Sequence, residues 1–235
     1  MKVTIWNENK HEKTKPVVTE NYPGGIHGYI ADFLKCDDIE TRCATLDDPE
    51  CGLTDEVLQD TDVLIWWGHV AHKEVPDEIA DRVVEFVQRG MGMIFLHSAH
   101  HSKAFKKLLG TTGNLKWRDG AKERIWTIKP NHPIAQGVDE TFVLEPEEMY
   151  GEPFDIPTPD EIIFMGWFNG GEVFRSGCTW TRSNGKIFYF QPGHETYKSF
   201  QNENVQRIIK NAVRWACPIH KNIEMTCPKF QALEG

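Results

Sequence analysis

The chain has 235 residues, with 26 Lys and Arg against 35 Asp and Glu and a formal net charge of -9. That sign repels phosphate backbones, so no nucleic-acid partner is expected; no apolar run reaches spanning length, so no membrane partner is expected either. The six cysteines, at 36, 43, 51, 178, 217 and 227, include no C-x-x-C pair, and in a chain able to bury roughly 70–75% of its unfolded surface they read as reduced thiols of a cytoplasmic protein.

Residues 3–6 read as a short apolar strand, so no signal peptide is expected before it. Residues 7–23 read as a polar loop. Gly24-Gly25 then opens a helix with Ile26, Tyr29, Ile30, Phe33 and Leu34 at helical spacing. A second strand is expected at 40–44 and a third at 62–67, where "DVLIWW" is nearly all apolar, as a parallel strand covered on both faces is. Residues 76–89 form an amphipathic pattern, 92–96 a fourth strand, and 104–109 the next helix. This alternation predicts a parallel sheet with helices on both faces.

After Gly110 the rhythm changes to strands at 124–128, 140–144, 161–168, 173–181 and 186–190. Asn184-Gly185 marks a two-residue hairpin turn, and 204–216 form a final helix. One doubly wound domain, 1–235, with antiparallel strands in its second half accounts for the whole pattern. The tail after 217 has weak periodicity and is expected to cover a neighbour or a partner subunit of a homo-oligomer.

Chemistry-bearing residues collect at predicted strand ends, where open α/β sheets bind ligands. "GMGMIFLHSAHHS" delivers His97, His100 and His101 just past one strand; "LIWWGH" delivers His69 past the strand before it. His194 follows Pro192-Gly193, a turn in which glycine aims the next side chain. His27 sits just inside a helix N-terminus, in "GGIHGY", and His72 reads as a surface residue. Glu147, Glu148 and Tyr150 lie in "EPEEMYGEP". Of the tryptophans at 66, 67, 126, 167 and 180, most read as core; Trp67 and Trp167, at strand ends, are expected in a pocket.

"DVLIWWGH", "GMGMIFLHSAHHSKAFKKLLG", "HPIAQGV", "EPEEMYGEP" and "GKIFYFQPGHETY" resemble, in order and spacing, the trehalose-utilization (ThuA-like) family, over residues 3–215. The resemblance implies a class I glutamine amidotransferase-like fold: a flavodoxin-like three-layer sandwich with a mostly parallel central sheet and added antiparallel strands. It implies sugar catabolism, with trehalose and related glycosides as substrate class. True amidotransferases carry a Cys at the strand-to-helix elbow and a His-Pro-Glu further on. Here His97 occupies the elbow and His194-Glu195 are adjacent, so a thiolate mechanism has no nucleophile and no glutaminase activity is expected.

The family's Glu and Tyr fall at Glu148 and Tyr150, and its segment after the first strand carries Gly and His, as around His27. The resulting expectation has three parts. His97, Glu148 and His194 are the catalytic set, with Glu148 as general base or metal ligand. His27, His69, His97 and His194 are the ligands of a divalent metal, Zn²⁺ before Ni²⁺ or Mn²⁺, with no nucleotide cofactor. Trp67, Tyr150 and Trp167 contact a small-molecule sugar. The chemistry expected is acid–base or metal-assisted, of isomerase or hydrolase type, on a disaccharide or keto-sugar; the alternative is a non-catalytic sugar-binding or accessory protein.

Overall fold

The computed structural model describes residues 1–234. The first half of the chain runs β1 (Lys2–Asn7), α1 (His11–Thr14), α2 (Pro16–Asn21), α3 (Gly25–Leu34), β2 (Glu40–Thr45), α4 (Asp55–Asp60), β3 (Val63–Trp67), α5 (Asp77–Gln88), β4 (Gly92–Leu96) and α6 (Lys103–Leu109). The second half is strand-rich: β5 (Lys116–Thr127), β6 (Thr141–Gly151), β7 (Glu161–Phe168), β8 (Val173–Arg182) and β9 (Gly185–Phe190), closed by α7 (Glu203–Ala216).

All nine strands join one sheet, in the order β2-β1-β3-β4-β9-β8-β7-β5-β6. Neighbours from β2 to β9 are parallel; those from β9 to β6 are antiparallel. Strand β3 shows why layers form on both faces. Its Leu64 and Trp66 pack with Ile79 and Val83 of α5, while Val63, Ile65 and Trp67 pack with Ile30 of α3 and Ile209 of α7. Successive side chains of a strand point to opposite faces, so an all-apolar strand needs cover on both. Each Val, Leu or Ile so buried contributes about 1.5–3 kcal/mol relative to exposure. The three-layer, flavodoxin-like sandwich is the one expected.

Some local expectations fail for definite reasons. Residues 7–23 are not a loop but hold α1 and α2. Helix α1 buries no residue, so it leaves no apolar periodicity; its polar side chains tie it down instead. Helix α4 was not expected because six residues are too few for a periodic signal, but Thr54 caps it by accepting a hydrogen bond from Val57 N. The hairpin turn consists of Ser183 and Asn184, with Arg182 paired to Gly185, one residue earlier than Asn-Gly implied. Asn184, donating through its backbone N–H and Nδ2 to Gln88 O, fixes that register.

The topology positions a site. Strand ends β3, β4 and β9 lie side by side, Trp67 opposite Leu96 and Leu96 opposite Phe190. The winding reverses between β1 and β3, since β2 and β3 flank β1 on opposite sides, and such a switch point opens a crevice at the carboxyl ends of the strands. Strand β6 is an edge strand, yet residues 147–151 at its end are all buried. Gln191 Nε2 donates to Glu148 O at 3.0 Å and Gly193 N to Glu147 Oε2 at 3.1 Å. The β5–β6 ribbon therefore folds back over the strand ends of the parallel half.

Candidate active site

His97 directly follows β4 and adopts φ 53. This left-handed conformation is unusual for a residue other than glycine and is held by the surrounding packing. The side chain is fully buried. Its Nδ1–H donates to Gln191 O at 3.0 Å, which leaves Nε2 facing Glu148 Oε2 at 3.1 Å and Tyr150 OH at 3.4 Å. Burial alone would lower the His97 pKa, but the Glu148 carboxylate outweighs it and raises it. Burial likewise works against ionised Glu148, and His97 reverses the balance and lowers its pKa. The Tyr150 ring stacks on His97 at 5.2 Å and 16°.

His69 and His194 complete the cluster from the ends of β3 and β9. One ligand atom from each of His69, His97, Glu148 and His194 lies within 4.8 Å of the others. Gly193 makes the approach to His194, at φ 130 and with no space for a Cβ, which would stand 2.4 Å from the Phe200 ring. His194 Nδ1 lies 3.2 Å from Thr196 N and 2.8 Å from the Thr196 hydroxyl. Burial, with His97 adding to it, pushes the His194 pKa down to about 4, so the ring is neutral at pH 7. Glu147 lies behind the cluster, accepting hydrogen bonds from Glu148 N, Gly193 N, His194 N and the Ser199 hydroxyl. It is buried and orients the loop; it is not a solvated acid.

A second carboxylate, buried Glu195, meets His11 Nδ1 at 2.6 Å, His69 Nδ1 at 2.9 Å and Lys15 Nζ at 3.0 Å. Burial disfavours its charge, but His69, His194 and Lys15 outweigh that and hold it well below the usual carboxylate range. His69 Nδ1 and Glu195 Oε2 stand close without a hydrogen bond of good geometry, and Nε2 is the other ring nitrogen that His69 can offer to the cluster.

Three members of the cluster, His69, Glu148 and His194, line a cavity of about 580 Å³, whose walls include Trp117, Asp119 and Tyr197. Of the expected site residues, His69, His97, Glu148, His194 and Tyr150 come together. His27 does not join them. Its Nδ1 lies 3.0 Å from Asn7 Nδ2, and it belongs to no group of converging ligands among the described residues. Trp67 is core, fully buried and donating Nε1 to Gly193 O at 3.0 Å. Trp167 is 42% exposed, between Arg124 and Val173 on the antiparallel half, and lines no part of the cavity. His72 is not a surface residue: burial depresses its pKa to about 3. His100 is buried and donates Nδ1–H to Gly113 O at 2.7 Å.

Sequence reading missed His11, Lys15, Glu195, Asp119 and Trp117. Only Glu195, adjacent to His194, carried a local signal. The others lie in segments without apolar periodicity or, for Trp117 and Asp119, in the first five residues of β5, none of which is buried on either face.

The family model ThuA, described as trehalose utilisation, matches residues 2–216. The chain belongs to the ThuA family. Among curated proteins none matches it significantly. A ThuA-like protein from Parabacteroides merdae is 14% identical, with TM-score 0.67, over 96% of this chain and 92% of that one. A ThuA-like protein from Bacteroides uniformis is 17% identical, with TM-score 0.65, over 92% and 91%. PurLQS from Thermotoga maritima is 12% identical, with TM-score 0.52, over 91% and 98%. At these identities the likeness is one of fold alone, and this ThuA chain shares that α/β fold with all three. The elbow of this ThuA protein holds His97, and none of its six cysteines lines the cavity. No described helix is long and apolar enough to cross a membrane.

Proposed function

We propose that this protein is a cytoplasmic sugar-processing enzyme performing metal-assisted acid–base chemistry on a disaccharide or keto-sugar. The observation that carries this reading is the convergence of His69, His97, Glu148 and His194 within 4.8 Å, with His69, Glu148 and His194 lining one cavity and His97 buried behind them; the family's description supplies the sugar.

The donor set fits a divalent cation. Glu148 Oε2 is buried and has no hydrogen-bond partner of good geometry, although His97 Nε2 stands 3.1 Å away. Two imidazoles and a carboxylate suit Zn²⁺ first among the first-row metals. A bound cation would supply Lewis-acid polarisation of a substrate oxygen.

The residues then divide by tautomer. Gln191 O fixes the His97 proton on Nδ1 and frees Nε2 as a ligand. A backbone N–H can only donate, so Thr196 N makes His194 Nδ1 an acceptor, and the neutral ring carries its proton on Nε2. We therefore assign the cation to His69, His97 and Glu148. His194 becomes a neutral N–H donor to the oxygen where charge develops. Glu148, which lines the cavity, would give Oε2 to the cation and keep Oε1 to take a proton from the sugar.

Metal analysis joined to a screen of disaccharides and their oxidised forms tests the reading. The expected result is a retained divalent cation whose removal by chelator abolishes turnover and whose return restores it. A protein that holds no cation and turns over equally well after chelation refutes it.

A further inference from the structure

The mouth of the cavity carries chemistry that the histidine cluster does not use. Trp117 is 63% exposed, against 43% for Trp126 and 42% for Trp167, and it lines the same cavity as His194 and Glu148. On the β5–β6 ribbon it is the register partner of Tyr150, and side chains directly opposite on antiparallel strands share a face at contact distance. Tyr150 in turn stacks on His97. Trp117 thus stands at the rim on the strand pair whose other member, Tyr150, lies against the cluster.

Asp119 lies two residues beyond Trp117, hence on the same face. It also lines the cavity, with Oδ1 4.0 Å from His194 Nε2 and its side chain 67% exposed. No Lys or Arg among the described residues pairs with it. The register shifts between Arg118 and Ala121, with Gly120 at φ 70 between them; such a bulge re-aims side chains beside a site. Across the mouth Tyr197 packs on His194 at 4.9 Å.

A flat indole left in water beside an unpaired carboxylate matches a sugar ring. A sugar ring would lay its C–H face on such an indole, and two neighbouring hydroxyls would donate to the acceptor-only carboxylate. The cavity, at about 580 Å³, is of the scale that takes a drug-sized ligand and so has room for more than one sugar ring.

We propose that Trp117 and Asp119 form a glycosyl subsite at the cavity mouth, holding the non-reacting ring of a disaccharide or glycoside. This rests on the sugar reading above and adds which part of the substrate is recognised there. The test is titration of the full chain, metal-loaded and metal-free, with trehalose and with glucose, using wild type, Trp117→Ala, Trp117→Phe and Asp119→Asn. Unchanged melting temperatures and metal content establish that the variants are folded.

The expected result is a preference for the disaccharide of about tenfold in wild type, equivalent to one additional favourable ring contact. That preference is lost in Trp117→Ala, partly restored in Trp117→Phe and weakened in Asp119→Asn. An undiminished preference in Trp117→Ala overturns the subsite and leaves the sugar reading standing. Failure of wild type to bind either sugar, with or without metal, overturns both. Trp117-dependent binding in a protein that retains no cation supports the subsite and removes the metal.

Discussion

His97 Nε2 and Glu148 Oε2 stand 3.1 Å apart although β4 and β6, which carry them, are separated by four strands in the sheet. The contact exists because the β5–β6 ribbon folds back, pinned by Gln191 Nε2 on Glu148 O and by Gly193 N on Glu147. A buried pair of this kind adds little net stability after desolvation. Its place beside a cavity that Glu148 lines is therefore better explained by chemistry than by folding.

His97 has a structural part as well as a chemical one. His97→Ala leaves Gln191 O without its donor, a loss of about 1–3 kcal/mol, and keeps a Cβ at φ 53. His97→Gly removes that Cβ and is expected to be more stable than His97→Ala by about 1 kcal/mol, while both variants are inactive. Urea unfolding of the pair checks this; equal stabilities would show that the left-handed elbow stores no strain.

The tautomer assignment separates two histidines that look equivalent in a list of ligands. His69→Ala is expected to lose the cation, whereas His194→Gln should retain it and fall about 100-fold or more in kcat, the scale of one oxyanion donor. Glu195→Gln, which weakens the support of His69, should lower metal affinity about 10–100-fold. Metal content and kcat measured on the three variants decide the matter; loss of metal in His194→Gln would make it a ligand.

The two tryptophans expected in a pocket should behave oppositely to a pocket role. Trp67→Phe removes the Nε1 donor from Gly193 O and should cost about 1–3 kcal/mol. Trp167→Ala, on an exposed strand face, should stay within about 0.5 kcal/mol of wild type and leave sugar binding unaltered. Denaturant unfolding and trehalose titration read both.

Glu123 predicts a pH dependence. Burial, with the charge of Glu147, holds its carboxyl well above the usual range against the donation from Ser176. The folded state then keeps a proton that the unfolded chain loses above about pH 4.3, so stability falls as pH rises, by about 1.4 kcal/mol per unit, until the folded pKa is passed. Glu123→Gln removes this loss. Its stability relative to wild type should grow from pH 5 to pH 8, and a difference constant with pH would show that Glu123 is ionised in the fold.

All six cysteines are free. Unfolded without reductant, the chain should titrate six thiols. Folded, Cys36, Cys43 and Cys227 should react first, and Cys178, buried and pushed up to about 12, last. A fast Cys178 would mean that its part of the core opens readily.

Local pattern was enough for the sandwich and for part of the site. "DVLIWW" and "GMIFL" read as covered strands, because short all-apolar runs must be buried on every side, and a residue following such a strand stands at its end in any parallel sheet. His69 and His97 were legible for that reason, and His194 through its Pro-Gly turn. His27 followed the same kind of reasoning and failed, since proximity to a helix start says nothing about distance from other strands. Glu195, His11 and Lys15 meet across some 180 residues of sequence, and Trp117 reaches the cavity only through its register with Tyr150. Those contacts are polar or half exposed and leave no periodic trace. They were decided by the strand order and by the fold-back of β6, which only the packed sheet contains.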